Sequence, residues 1–274
     1  MPARMLRKHP RAVYEHCCSN RASGGSSNLA TTASATVRSS MHVIGIDPAP
    51  TKQTAVFDGR GFSFWDAAEV VDGVASLAAA HDDLLMAWDA PLGLDPGPSH
   101  FYSRAVDKVA KRVIAGWVAE GRVEAKAIGV AHAAGCPHNL LTQAALGLPV
   151  GGPKAPWRLH GVGDPAPGAG RWLVEVHPAV ALGAWWPGPG PMPRYKAGGK
   201  SSADKVRAAR RDIVAWLQRE HGFPSGAPAT FTDDHIDAWL AWRLASLMLE
   251  GGAAPWGPRG GGYYLMPASL AWTG

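Results

Sequence analysis

The sequence predicts an α/β fold with a mixed sheet and a long Gly/Pro-rich insertion, and three observations carry the prediction. An apolar, β-branched run, MHVIGID (41–47), is followed at once by two short alternating segments joined by a turn. A second apolar run, DLLMAWDAPLG (83–93), comes after a segment of helical pattern, so it can return parallel to the first. A long helical pattern at about 232–250 closes the chain and is large enough to cover one face of such a sheet.

The elements follow in order. KQTAVFD (52–58) and FSFWDA (62–67) flank Asp58-Gly59 and Gly61, residues suited to a tight turn, and read as antiparallel strands beside the first. VVDGVASLAAAH (70–81) places Val74 and Leu77 at helical spacing. HFYSRAVDKVAKRVIAGWVAEG (100–121) repeats Val106, Val109, Val113 and Trp117 along one helical face. Residues 122–170 are dominated by Gly, Pro and small side chains and read as an elaborated loop, with one short helix around Asn139–Leu146. RWLVEVHP (171–178) reads as a strand, 187–200 as a loop, and 201–222 as a helix opened by a Ser201…Asp204 capping pattern. Gly251-Gly252 stops the last helix, and GGYYLMP (261–267) reads as a short edge strand.

Residues 1–40 have neither period and are rich in Ser, Thr and Ala, as in a flexible basic tail or a stretch read from a mis-chosen upstream start, since Met41 immediately precedes the first strand. Their arginines and low acidity also fit an organellar presequence, although no amphipathic helix is evident. Residues 41–274 read as a single domain. The net charge of +5 belongs entirely to the first 40 residues, which hold six of the 27 basic and one of the 22 acidic side chains. The rest is balanced, so any case for nucleic acid has to rest on a site and not on global charge. Three cysteines match neither a disulfide framework nor a zinc spacing, and no apolar run is long enough to span a bilayer. The expectation is a cytoplasmic protein with no membrane partner.

Asp47 ends the first strand in GIDPA (45–49), and Asp89 ends the later parallel strand in WDAPLG (88–93). If the strands are neighbours, the two carboxylates lie about one strand spacing apart at one opening. Asp233, Asp234 and Asp237 open the last helix, and the first two also suit the positive end of its dipole. Asp237 borders the buried stripe, where Ala238, Ala241 and Ala245 leave room for close packing on the sheet. Glu175 and His177 share one side of their strand, where they could form a carboxylate–imidazole pair, support a metal shell, or be an ordinary buried polar pair. His235 reads as a packing residue. Clustered carboxylates suit hard divalent ions, and one or two such ions can activate water and stabilise the leaving oxygen of a phosphodiester. Tyr195, Lys196, Lys200, Lys205, Arg207, Arg210 and Arg211 form either a basic lip that contacts phosphates or a solvated helix face. Trp157, Trp185 and Trp186, in or beside loops, are the candidates for stacking on bases.

Taken in order, GIDPA (45–49), WDAPLG (88–93), EVHP (175–178) and DDHIDA (233–238) resemble the family called domain of unknown function 429, described as predicted nucleases of the ribonuclease H-like fold. The GIDP opening and terminal-helix D-x-x-D also resemble metal-dependent Holliday-junction resolvases. The resemblance covers about residues 41–250 and implies a five-stranded mixed sheet flanked by helices, with a Mg²⁺ or Mn²⁺ site. It makes Asp47, Asp89, Asp234 and Asp237 the catalytic metal ligands, with Glu175 a further ligand and His177, Lys196 and Asp233 in support. Resolvases usually carry glutamate where this chain has Asp89. The leading reading is hydrolysis of phosphodiester bonds in a nucleic acid, with structured DNA a candidate substrate. The alternatives are an actin-like or sugar-kinase-like ATPase or phosphotransferase, and a non-enzymatic nucleic-acid-binding adaptor.

Overall fold

A computed structural model describes residues 41–274 apart from 97–101, 189 and 198–201. The expectations for residues 1–40, for Lys200 and for a cap at Ser201 lie outside the described residues.

Three strands, β1 (His42–Asp47), β2 (Thr54–Phe57) and β3 (Phe62–Trp65), form the predicted meander. Asp58 accepts from the backbone N–H groups of Arg60 and Gly61, which holds the β2–β3 turn closed. The chain continues through α1 (Val70–Ala80), β4 (Leu84–Trp88) and α2 (Ala105–Ala119), then α3 (Asn139–Leu146), β5 (Trp157–Leu159) and β6 (Arg171–Glu175). It ends with α4 (Pro178–Trp185), α5 (Ala203–Glu220), α6 (Asp233–Leu249), β7 (Ala253–Trp256) and β8 (Tyr264–Pro267).

The main sheet is mixed and runs β3-β2-β1-β4-β6-β5, with β2 antiparallel to both neighbours and β1, β4, β6 and β5 parallel. It has six strands where five were expected. The extra one, β5, comes from the insertion, which is tied down further by α3 and by the Trp88 indole donating to Thr142 at 2.9 Å. Trp157, expected in a loop, is therefore a buried strand residue. Trp185 stacks on His221 and Trp186 meets Trp216 edge-on, so these two also pack within the protein. The strand at the C-terminus does not extend the main sheet; β8 pairs antiparallel with β7 in a separate two-stranded sheet. Helix α4 was not expected, since its residues are apolar almost all round and show no amphipathic period; Pro178 starts it. Ser202 caps α5, its hydroxyl accepting from the Lys205 N–H.

Alternation along the strands divides the core. Ile44, Ile46, Met86, Trp88 and Leu173 pack with α1 and α3 on one face. Leu85, Ala87 and Val174 pack on the other with α2, α4, α5 and α6. Helix α6 lies directly on β1 at Gly45, where a Cβ would sit 2.1 Å from the Ala238 carbonyl oxygen and 2.3 Å from the Trp242 nitrogen. Any other side chain at residue 45 would lift the helix off the sheet. None of the described helices is long and apolar enough to cross a membrane.

Candidate functional site

Sheet register and the Gly45 contact together build an acidic cleft. Ile46 pairs with Trp88, and the Asp89 N–H donates to the Ile46 carbonyl at 3.0 Å, so Asp47 and Asp89 leave adjacent strands at one level. Alternation turns both toward α6, on the side that Gly45 and Ala87 face. Asp237 precedes Ala238, the residue seated on Gly45, and so descends beside them. One oxygen from each of Asp47, Asp89 and Asp237 lies within 4.8 Å of the other two. Asp47 and Asp237 are buried and Asp89 is half-buried. They line a cleft of about 290 Å³, together with Lys52, His138, His177 and Lys196.

Three carboxylates this close in a desolvated place cannot all ionise cheaply without a cation. Burial first, then Asp237 and Asp89, push the Asp47 carboxyl well above the usual range. Burial lifts Asp89 to about 7, with Lys196 opposing and Asp237 and Glu175 adding to the rise. Asp237 is also raised by burial, although Lys196 and Tyr195 favour its charged form. The Lys196 ammonium stands 2.6 Å from one Asp237 oxygen, and the Tyr195 hydroxyl donates to the other at 2.7 Å. Burial works against the Lys196 charge, but Asp237 foremost among its neighbours holds its pKa well above normal.

A pH signature follows. The folded-state value of Asp89 lies above the ordinary carboxylate value, so its contribution to stability is full at low pH and is lost as pH rises through about 7. In metal-free protein, the thermal midpoint of wild type relative to Asp89→Asn is expected to fall between about pH 4 and pH 7. Parallel pH profiles for the two proteins would contradict this.

The remaining candidates lie outside the three-carboxylate cluster. Asp234 is ion-paired with Lys52, and Asp233 with Arg210 at 2.9 Å; both sit in the first turn of α6, where the dipole favours them. Glu175 is out of phase by one residue. It aligns with Trp88 and Ile46, whereas Asp89 and Asp47 follow those residues. Its carboxylate instead accepts from Leu92 N–H (2.7 Å), Gly93 N–H (3.2 Å) and Arg104 (2.8 and 3.0 Å). His177 donates from Nε2 to the Gly129 carbonyl at 3.1 Å, and burial, with Lys196 second, lowers it to about 4, so it is neutral. His235 packs on Phe62 and Phe64, and its Nδ1 accepts from the Thr232 N–H in a capping box that starts α6.

Sequence reasoning missed Arg104, which is 1% exposed and also grips Asp107 at 2.8 and 3.1 Å. The available signal was Asp107 on the otherwise apolar face of α2, with Arg104 three residues before it at the helix start. It missed Lys52 as well, for which the loop after Asp47 offers no pattern.

A family model described as "Protein of unknown function (DUF429)" matches residues 45–259. No curated protein and no solved structure matches the chain.

Proposed function

The chain belongs to the DUF429 family, and from that membership and its acidic cleft we propose that it is a Mg²⁺- or Mn²⁺-dependent nuclease of the ribonuclease H-like fold. One observation carries the reading: carboxylates from two adjacent strand ends and one helix bring oxygens within 4.8 Å of one another. The donor set fits the ion, being all oxygen, anionic and hard, and Asp47, Asp89 and Asp237 would hold it at a cleft where water and phosphate would supply its other ligands. The mixed sheet flanked by helices, with acids at the end of β1, just after β4 and on α6, supports this reading.

Asp47, Asp89 and Asp237 would hold the ion or ions, which when bound supply a polarised phosphoryl oxygen and a water of lowered pKa. Tyr195 and Lys196 fix the two oxygens of Asp237 and so set its orientation on α6. The Glu175–Arg104 pair braces residues Leu92 and Gly93, just beyond Asp89, and thereby positions that ligand. Lys52 and Arg210 hold Asp234 and Asp233 at the rim and away from the cluster.

The test is a cleavage panel of single-stranded DNA, duplex DNA, RNA–DNA hybrid and four-way junction, with Mn²⁺ or Mg²⁺. At least one substrate is expected to be cut, and chelation is expected to stop it. ATP hydrolysis without cleavage would replace this reading with a phosphotransferase, and metal-independent binding without turnover on any substrate would replace it with an adaptor.

A further inference from the structure

A second concavity, of about 300 Å³, lies beside the acidic cleft and has the opposite charge. Arg207, Arg210 and Arg211 of α5 line it, with Asp204 its one acidic side chain. Positions 204, 207 and 211 follow one another at three and four residues and so form a ridge along the helix. Thr232 lines this concavity, and the next residue, Asp233, lines the cleft, so the two adjoin at the start of α6.

The arginines differ in how they are committed. Arg210 is anchored, donating to the Tyr195 carbonyl at 2.7 Å and pairing with Asp233 at 2.9 Å. Among the described residues Arg207 pairs only with Asp204, one turn away, and both are largely solvent-exposed. The Arg211 side chain has no ion pair or hydrogen bond among the described residues and is exposed. The cations nearest the carboxylates are in the reverse position, since Asp234 neutralises Lys52 and Asp237 neutralises Lys196. A cleft with this surplus of acid repels a polyanion, so uncommitted positive charge has to lie beside it for a phosphate chain to approach.

We propose that Arg207 and Arg211, set in place by Arg210, form a phosphate-binding site for the backbone of a nucleic acid whose neighbouring phosphodiester enters the acidic cleft. Arginine suits the role because its planar fork matches two phosphate oxygens. Phosphate contacts of this kind give position and salt dependence without reading sequence. The site rests on the nuclease reading for its choice of polymer, yet it can be tested without turnover.

The experiment is fluorescence anisotropy with labelled single-stranded and duplex oligonucleotides, using the full chain in chelator so that no cleavage intervenes. Wild type is expected to bind with a strong salt dependence. The Arg207→Ala/Arg211→Ala double variant is expected to bind at least about tenfold more weakly at low salt, with the slope of log K against log salt reduced by about 2. Asp204→Asn is expected to shift affinity the other way, and unchanged thermal midpoints for both variants would show that the fold is intact. Equal affinity and equal slope for wild type and the double variant would overturn the site. Binding of inorganic phosphate without any oligonucleotide binding would also overturn it, assigning the pocket to a small anion. Arginine-dependent binding by a chain that cuts nothing would leave this site standing and remove the nuclease reading alone.

Discussion

Arg104→Met is expected to destabilise the protein by about 3–5 kcal/mol, the usual cost of removing one partner from a buried ionic network. Arg104 is the hub of that network. It donates to both oxygens of Glu175, to both of Asp107 and to the Gly93 carbonyl, while the Tyr264 hydroxyl adds a further bond to Asp107. Burial alone pushes Glu175 up, and without the guanidinium that carboxyl has to take a proton or draw in water. The Arg104→Met/Glu175→Gln/Asp107→Asn triple variant is expected to recover part of the loss, because neutral groups of similar shape no longer strand a charge. Denaturant midpoints for the three proteins check the prediction. A loss below about 1 kcal/mol for Arg104→Met would place the network among weak surface pairs and contradict its burial.

Asp47→Asn is expected to lower metal-dependent cleavage by more than about a hundredfold, exceeding the loss typical of groups that merely support a ligand. Its effect on stability is expected to have the opposite sign. The Asp47 carboxyl is held in an unfavourable place, buried beside Asp237 and Asp89, so a neutral amide of the same shape relieves repulsion in metal-free protein. Activity lost while the metal-free thermal midpoint holds or rises is the signature of a ligand. A structural aspartate would lose both together. Cleavage rates and metal-free melting curves on one preparation separate the two cases.

How much of this was legible varies with the kind of signal. β1 and β4 are legible as short continuous apolar runs ending in aspartate, and α6 as a long apolar stretch opened by acids and stopped by Gly251-Gly252. The placing of Asp47 and Asp89 together needed only the assumption that their strands are neighbours. Glu175 reads as a ligand in the sequence because its own strand gives alternation but no register with β4. The pairing of Trp88 with Glu175 puts it one residue out of step with Asp89. Composition hid β5, since a three-residue strand between Gly/Pro-rich stretches has no period to detect. The same limit applies to β7, where Pro255 argues locally against a ladder, whereas β8 is legible within GGYYLMP (261–267) and only its pairing with β7 is not. The Lys52–Asp234 and Arg104–Glu175 pairs join residues far apart in sequence, and only the folded chain brings them together.

The central claim is that Asp47, Asp89 and Asp237 hold a divalent metal ion, and calorimetric titration of Mn²⁺ into wild type and Asp89→Asn tests it most directly. Asp89 is the ligand of choice because it is half-buried and forms no ion pair among the described residues, so its amide disturbs few contacts. Wild type is expected to bind Mn²⁺, more tightly at pH 8 than at pH 5 because the carboxylates have to lose their protons. Asp89→Asn is expected to bind at least about tenfold more weakly. No heat of binding in either protein at millimolar Mn²⁺, or equal affinity in both, would contradict the account.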